Sequence, residues 1–222
     1  MKRTTVSRDF AQIYRDSFRL HAHLLLLWGY QQAQQMFRSA DEEEISDLLY
    51  QRIQYVLMAE KESWMARYSV KNEDPISGIG KAGKKRREID LLIEFTVRER
   101  PQYVFEAKVL NWQKSHQRTS NYVDKNGLGR FIEGEYADFT ARFPEVGMLG
   151  YVVSDSLEEW QVRLQSHINR EGQKLRLCGP QENVIVCEEI NHEWISRHER
   201  GSSEQAVTVF HILLDCKTQG LT

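Results

Sequence analysis

The sequence has little of what marks a secreted, membrane-spanning or broadly basic protein. Its cysteines are three, Cys178, Cys187 and Cys216, odd in number and without a CxxC pair. A reduced, cytoplasmic setting is expected from that usage. The start, MKRTT, has no apolar segment behind it, which argues against a signal peptide. The longest aliphatic run is Leu24–Leu27 with Trp28, far short of the roughly 20 residues a helix needs to cross a bilayer. A net charge of −2 gives no overall basic field, so any nucleic-acid surface has to be local. Neither internal repeats nor low-complexity tracts occur, and no serine-nucleophile elbow is present. The histidines offer no convincing metal set. His192-Glu193 starts like a zincin motif, but Ser196 stands where its second histidine belongs. His21 and His23 are separated on a helix surface by their two-residue spacing.

What is present describes a globular chain. With 222 residues, 41% hydrophobic and 28% charged, one well-buried domain with appendages is expected. Residues 9–38 read as a helix, with apolar steps of three and four and no proline. This gives a division into an N-terminal helical extension, 1–40, and a main domain, 41–222. A second helix is predicted to start near Ser39–Asp41, where cap residues precede an acidic first turn. Ile45, Leu49, Ile53 and Val56 trace its buried stripe, which Glu42 and Glu60 extend at either end; Glu43 and Glu44 point elsewhere. Trp64–Val70 reads as a strand, and 72–85 as a polar, glycine-rich connection. Gly78, Gly80 and Gly83 match a dinucleotide fingerprint and Gly78–Lys84 most of a P-loop. Both lack the required preceding strand and following helix, and Lys85 replaces the magnesium-binding Ser or Thr. Beyond the central strands, Gly129–Phe143 reads as a helix, Val146–Ser154 as a strand, Leu157–Ile168 as a helix, and Val184–Glu188 and Ala206–Asp215 as strands. Strands and helices mix throughout, so the fold class is α/β with a partly antiparallel central sheet.

The chemistry concentrates in two consecutive strand-like runs, Glu88–Val97 and Gln102–Leu110. In the second, Val104, Glu106, Lys108 and Leu110 share one face and Tyr103, Phe105, Ala107 and Val109 the other. Both faces are largely apolar, so Glu106 and Lys108 interrupt a buried surface. Asp90 opens the first run. For it to join Glu106 and Lys108 it must oppose an even-numbered residue, which predicts an odd-length turn or a bulge near Pro101. Two carboxylates and an ammonium at one point can hold a divalent cation and a hydroxide. The plainer alternative is a buried ion pair between Lys108 and one acid.

Asp90…Glu106-x-Lys108 resembles the motif of the PD-(D/E)xK, or restriction-endonuclease-like, nuclease superfamily. The resemblance covers about residues 41–154 in the order helix, strand, hairpin with the motif, helix, strand. Ile89 stands where the name-giving proline would be. The resemblance implies a restriction-endonuclease-like core and metal-dependent hydrolysis of phosphodiesters, DNA favoured over RNA, in microbial defence against foreign DNA. It implies Mg²⁺, with Mn²⁺ substituting, on Asp90, Glu106 and the Ala107 backbone carbonyl, with Lys108 assisting the attacking water. A helix acid, Glu42 or Glu60, would complete the set. Lys81, Lys84, Lys85, Arg86 and Arg87, just upstream of Asp90, suit phosphate contacts. Arg118, Lys125 and Arg130 extend that surface, and Tyr122, Arg130 and Tyr136 are further candidates for phosphate contact. Cutting both strands calls for two active sites, hence a homodimer or a partner protein. The competing reading is a non-catalytic nucleic-acid- or protein-binding subunit of a larger complex.

Overall fold

The computed structural model describes residues 8–37, 41–72, 74–75, 88–96, 101–114, 118–136, 140, 143–200 and 205–217. The basic segment Lys81, Lys84, Lys85, Arg86 and Arg87 lies outside them, as does most of the glycine-rich connection. The chain forms α1 (Arg8–Ala33), α2 (Glu42–Met58), β1 (Tyr68–Lys71), β2 (Asp74–Pro75), β3 (Glu88–Ile89), β4 (Leu91–Phe95) and β5 (Gln102–Leu110). There follow α3 (Thr119–Val123), α4 (Gly129–Ile132), β6 (Glu145–Val152), α5 (Leu157–Arg170), β7 (Glu182–Asn183), β8 (Glu193–His198) and β9 (Val207–Asp215).

Seven strands make one mixed sheet in the order β1-β4-β5-β6-β9-β8-β7. Its centre, β5-β6-β9, is parallel, and both flanks are antiparallel. β2 and β3 pair separately. Because parallel strands are covered on both faces, each face of β5 feeds its own core. Tyr103, Phe105, Ala107 and Val109 pack with α1 and α2, whereas Val104 and Leu110 pack with α3, α4 and α5. The alternation expected along β5 is therefore the one observed. At Gly147 of β6 an added Cβ would run into the ring of Phe105, so the close approach of β5 and β6 requires glycine there.

Local sequence accounts for the helices that matter to the site. Asp41 caps α2, its Oδ1 accepting from the Glu43 and Glu44 amides at 3.0 and 3.4 Å. Three acids in the first turn suit the positive end of the helix dipole. Ile45, Leu49, Ile53 and Val56 are buried as their spacing predicts. Ser156 and Glu159 form a capping box on α5, which buries Trp160, Leu164 and Ile168 at four-residue steps. The N-terminal helix joins the same core as α2 and the sheet through Phe18, Ala22, Leu25 and Leu26. Among the described residues no helix is long and apolar enough to cross a membrane.

Five elements differ from expectation. The strand predicted at Trp64–Val70 starts only at Tyr68, after a 3-10 turn at Met65–Arg67. The helix predicted over 129–143 stops at Ile132, since Gly134 turns left-handed at φ 79°. The strand predicted at Val184–Glu188 is displaced to β7. Residues beyond Val184 run past the end of β8, whose first residue, Glu193, already takes the Val184 amide. β8 itself was hidden by its buried polar residues Glu193, Ser196 and His198, which read as surface. Glu88–Val97 is not one strand but two, β3 and β4, broken at Asp90.

A hydrogen-bonded chain crosses the second core. His198 Nδ1 meets the Leu175 carbonyl at 2.7 Å, and Ser196 Oγ lies 2.7 Å from both His198 Nε2 and His211 Nε2. His211 Nδ1 faces the Tyr122 hydroxyl at 3.0 Å. The carbonyl only accepts, so His198 carries its proton on Nδ1, Ser196 donates to His198, and His211 carries its proton on Nε2. The Tyr122 hydroxyl also lies 3.0 Å from the Met148 carbonyl, so its one proton is shared between that oxygen and His211 Nδ1. Burial lowers the pKa of both imidazoles, that of His198 to about 4.

Candidate active site

The β4–β5 pairing places Leu92 opposite Val104 and Glu94 opposite Gln102. Even positions thus face even positions, and Asp90 falls opposite Glu106 when the register is continued. The Phe95 amide donates to the Pro101 carbonyl at 3.0 Å. Residues 96–100 lie between, an odd number as the parity argument requires. Asp90 is also a bend between strands. Ile89 joins Leu92 in the core beneath α3 and α4, although two residues of odd and even number would alternate faces on a straight strand.

That bend ends the hairpin early and leaves β5 with an open edge from Ala107 to Val109. Carboxylates take the two amides that β4 no longer pairs. Asp90 Oδ2 accepts from the Ala107 amide at 2.7 Å, and Glu42 Oε2 accepts from the Val109 amide at 3.1 Å. The Ala107 carbonyl opens to the same edge. Lys108 Nζ sits in the gap, 2.8 Å from Glu42 Oε1, 3.1 Å from Glu106 Oε1 and 2.5 Å from the Ala107 oxygen. Three oxygens from a helix, a strand side chain and a backbone therefore converge on one positive centre.

Glu106 is fully buried. Its second oxygen accepts from Arg130 Nη1 and from the Tyr136 hydroxyl, both at 2.5 Å. Arg130 also reaches Glu135 Oε2 at 3.4 Å. A carboxylate out of water needs such partners to remain charged. Around the gap, the carboxyl groups of Glu42, Asp90 and Glu106 face the cations of Lys108 and Arg130. Burial and then the neighbouring Glu106 push the Asp90 carboxyl up to about 7, against the pull of Lys108 and the Ala107 amide. Burial alone would depress the Lys108 ammonium, but Glu106, Glu42 and Asp90 outweigh it and hold its pKa raised. Burial and Glu106 also raise the Tyr136 phenol, which stays a donor.

Asp90, Glu106, the Ala107 carbonyl and Lys108 are thus brought together, and Glu42 joins them. Glu60 does not: it is exposed beyond the other end of α2, at φ 41°. Tyr122, Arg130 and Tyr136 are buried and are not surface contacts for phosphate. Arg130 and Tyr136 instead anchor Glu106, a role sequence reasoning missed. One signal was available, an arginine inside the otherwise apolar stretch Leu128–Ile132. Arg118 and Lys125 are exposed.

The donor chemistry of this cluster, carboxylate and carbonyl oxygens with excess negative charge, fits a hard divalent cation such as Mg²⁺. The arrangement has Lys108 in the cation's place. Among the described residues no group of three or more His, Cys, Asp or Glu side chains is set to hold a metal ion. An entering ion has to displace the ammonium from between Glu42, Glu106 and the Ala107 oxygen. Compared with known proteins, the chain matches no family model, no curated protein and no solved structure.

Proposed function

We propose that this chain is a metal-dependent nuclease with a restriction-endonuclease-like core, hydrolysing phosphodiester bonds, in DNA by preference. The observation that carries the reading is the convergence of Glu42, Glu106 and the Ala107 carbonyl on Lys108, beside Asp90, at the open edge of β5. A sheet edge could end more simply with neutral side chains. Three carboxyl groups crowded into a half-buried gap are expensive unless a cation uses them. The order α2, β1, β4–β5 hairpin, α3–α4, β6 supports the same reading, because it is the order the PD-(D/E)xK resemblance implies.

Mg²⁺ at this position would supply charge to the scissile phosphate and a more acidic water. The remaining work falls to side chains. Arg130 and Tyr136 hold one oxygen of Glu106 and leave the other facing the gap. Glu42 and Asp90 line the other sides. Lys108, once released from Glu42, donates from Nζ to the attacking water or to a phosphate oxygen as negative charge builds in the transition state. Asp90, Glu106 and Lys108 are the catalytic residues of this proposal. The expected result is Mg²⁺-dependent cleavage of plasmid or oligonucleotide DNA by the wild type, lost in Asp90→Ala, Glu106→Ala and Lys108→Ala that keep the wild-type circular dichroism. Cleavage retained in all three defeats the proposal.

One observation favours the alternative of a non-catalytic binding subunit: protein donors already engage Glu42, Asp90 and Glu106. Calorimetric titration with Mg²⁺ or Mn²⁺ separates the two. Binding lost in Asp90→Ala supports the nuclease, and no binding by the wild type supports the subunit.

A further inference from the structure

Trp112 is the one exposed tryptophan of the five, 44% accessible. It lies two residues past the end of β5 and four past Lys108, so at most about 14 Å of chain separates it from the carboxylate gap. Two guanidiniums rest on its ring, with Arg163 Cζ 4.6 Å and Arg118 Cζ 5.1 Å from the centroid. The loop is held from both sides. The Trp112 amide donates to Ser154 Oγ at 2.9 Å, and its carbonyl accepts from Arg118 Nε at 3.2 Å. Buried Trp160 supports the indole edge-on at 6.1 Å. Arg163 is held by Asp155, at 3.2 Å, and lies over Trp160 as well.

An exposed indole held in place, with two guanidiniums against its ring, presents a stacking surface and positive charge together. We infer that Trp112, Arg118 and Arg163 form a docking platform for single-stranded nucleic acid. An unpaired base stacks on the indole, and the guanidiniums take the flanking phosphates. Every base has a π face, so such stacking tolerates any sequence. A guanidinium lying flat on a ring keeps its N–H edge for phosphate oxygens. Arg118, the more exposed of the two, yields its place on the ring to the base, while Arg163 stays fixed by Asp155. Duplex DNA, with its bases stacked internally, offers nothing to the indole. This inference deepens the nuclease reading and rests on it for the strand's path, from Trp112 along the end of β5 to Lys108.

The test separates binding from cleavage. A fluorescein-labelled thymidine oligomer of about 16 nucleotides, the upper end of a single-site footprint, is titrated in EDTA and followed by anisotropy. The wild type should bind it and show quenched tryptophan emission. Trp112→Ala and Arg118→Ala should each weaken binding about tenfold, the scale of one stacked base. Trp112→Phe should keep most affinity while losing the quench. A duplex of equal length should bind more weakly, and a uridine oligomer tells RNA from DNA. Arg118→Ala removes only an exposed side chain, so it tests the platform even where Trp112→Ala melts early. Wild-type affinity in both alanine variants, or no single-strand binding by the wild type, overturns the inference. Binding that depends on Trp112 without Mg²⁺-dependent cleavage removes the nuclease reading and leaves the platform standing.

Discussion

Replacing Lys108 with methionine is the sharpest probe of the charge cluster. The stem keeps its length and the ammonium disappears. Glu42, Asp90 and Glu106 then face one another with, among the described residues, the Arg130 guanidinium left to balance them. Removing one member of a buried ion pair costs about 3–5 kcal/mol. Lys108 and Glu106 are 15% and 1% exposed, but Glu42 is 35% exposed and its share is screened. A loss of about 3 kcal/mol is therefore expected in EDTA, which for a chain of this size lowers the melting temperature by roughly 6–12 °C. The same vacancy is a better cation site than the wild type offers. Mg²⁺ at a hundred times its Kd restores about 2.7 kcal/mol, nearly the whole loss. The assay is thermal and urea unfolding of wild type and Lys108→Met, in EDTA and in Mg²⁺, with NaCl added to equal ionic strength so that general screening cancels. If the variant loses under about 1 kcal/mol, the cluster is not the coupled, desolvated unit described. If it is destabilised but Mg²⁺ restores no more than NaCl does, the acids do not form a divalent-cation seat.

Three further outcomes are expected. Glu42→Gln should lower Mg²⁺ affinity and cleavage at least tenfold, whereas Glu60→Gln should change neither; equal effects would contradict the placement of Glu42 beside Lys108. Tyr136→Phe removes a charge-assisted hydrogen bond to Glu106, so it should destabilise by about 1.5–3 kcal/mol and weaken Mg²⁺ binding without abolishing it; unfolding and calorimetry together check this. Stability should also fall on acidification through the buried histidines. The folded pKa of His198, about 4, is below the roughly 6.5 of an unfolded histidine, so the unfolded chain binds more protons between those values. The stability is present above pH 6.5 and is lost towards pH 4, by up to about 1.4 kcal/mol per pH unit for His198 alone. Asp90, raised to about 7, contributes with the opposite sign over the same range, so urea unfolding from pH 7.5 to 4.5 is read in Asp90→Asn, where a flat profile would mean the pair is charged or exposed.

How much of this is legible in the sequence differs by feature. The stripe of α2, its Asp41 cap and the alternation of β5 follow from periods of 3.6 and 2, which are local, and they were readable. So was the parity of the hairpin, because it needed only the assumption that Asp90 and Glu106 meet. The end of α4 and the displacement of β7 were not readable. The first depends on Gly134 adopting positive φ, the second on where a distant strand happens to start. The buried polar residues of β8 misled for a related reason: a serine between two histidines looks exposed until His198 and His211 are seen to share it.

The sequence by itself determined that Glu106 and Lys108 share one face of a buried strand, because alternation along a strand is a property of the backbone. Only the tertiary structure decided which helix acid completes the cluster and which donors hold the buried Glu106 carboxyl. Helical spacing puts Glu42 and Glu60 on one stripe, but α2 ends at Met58 and Glu60 lies beyond it; the end of α2 that packs over the open edge of β5 is the one that carries Glu42. Arg130 and Tyr136 reach Glu106 across a chain separation of 24 and 30 residues. No local pattern encodes that meeting; it arises when α4 and the turn after it close over the sheet and a buried carboxylate must find donors.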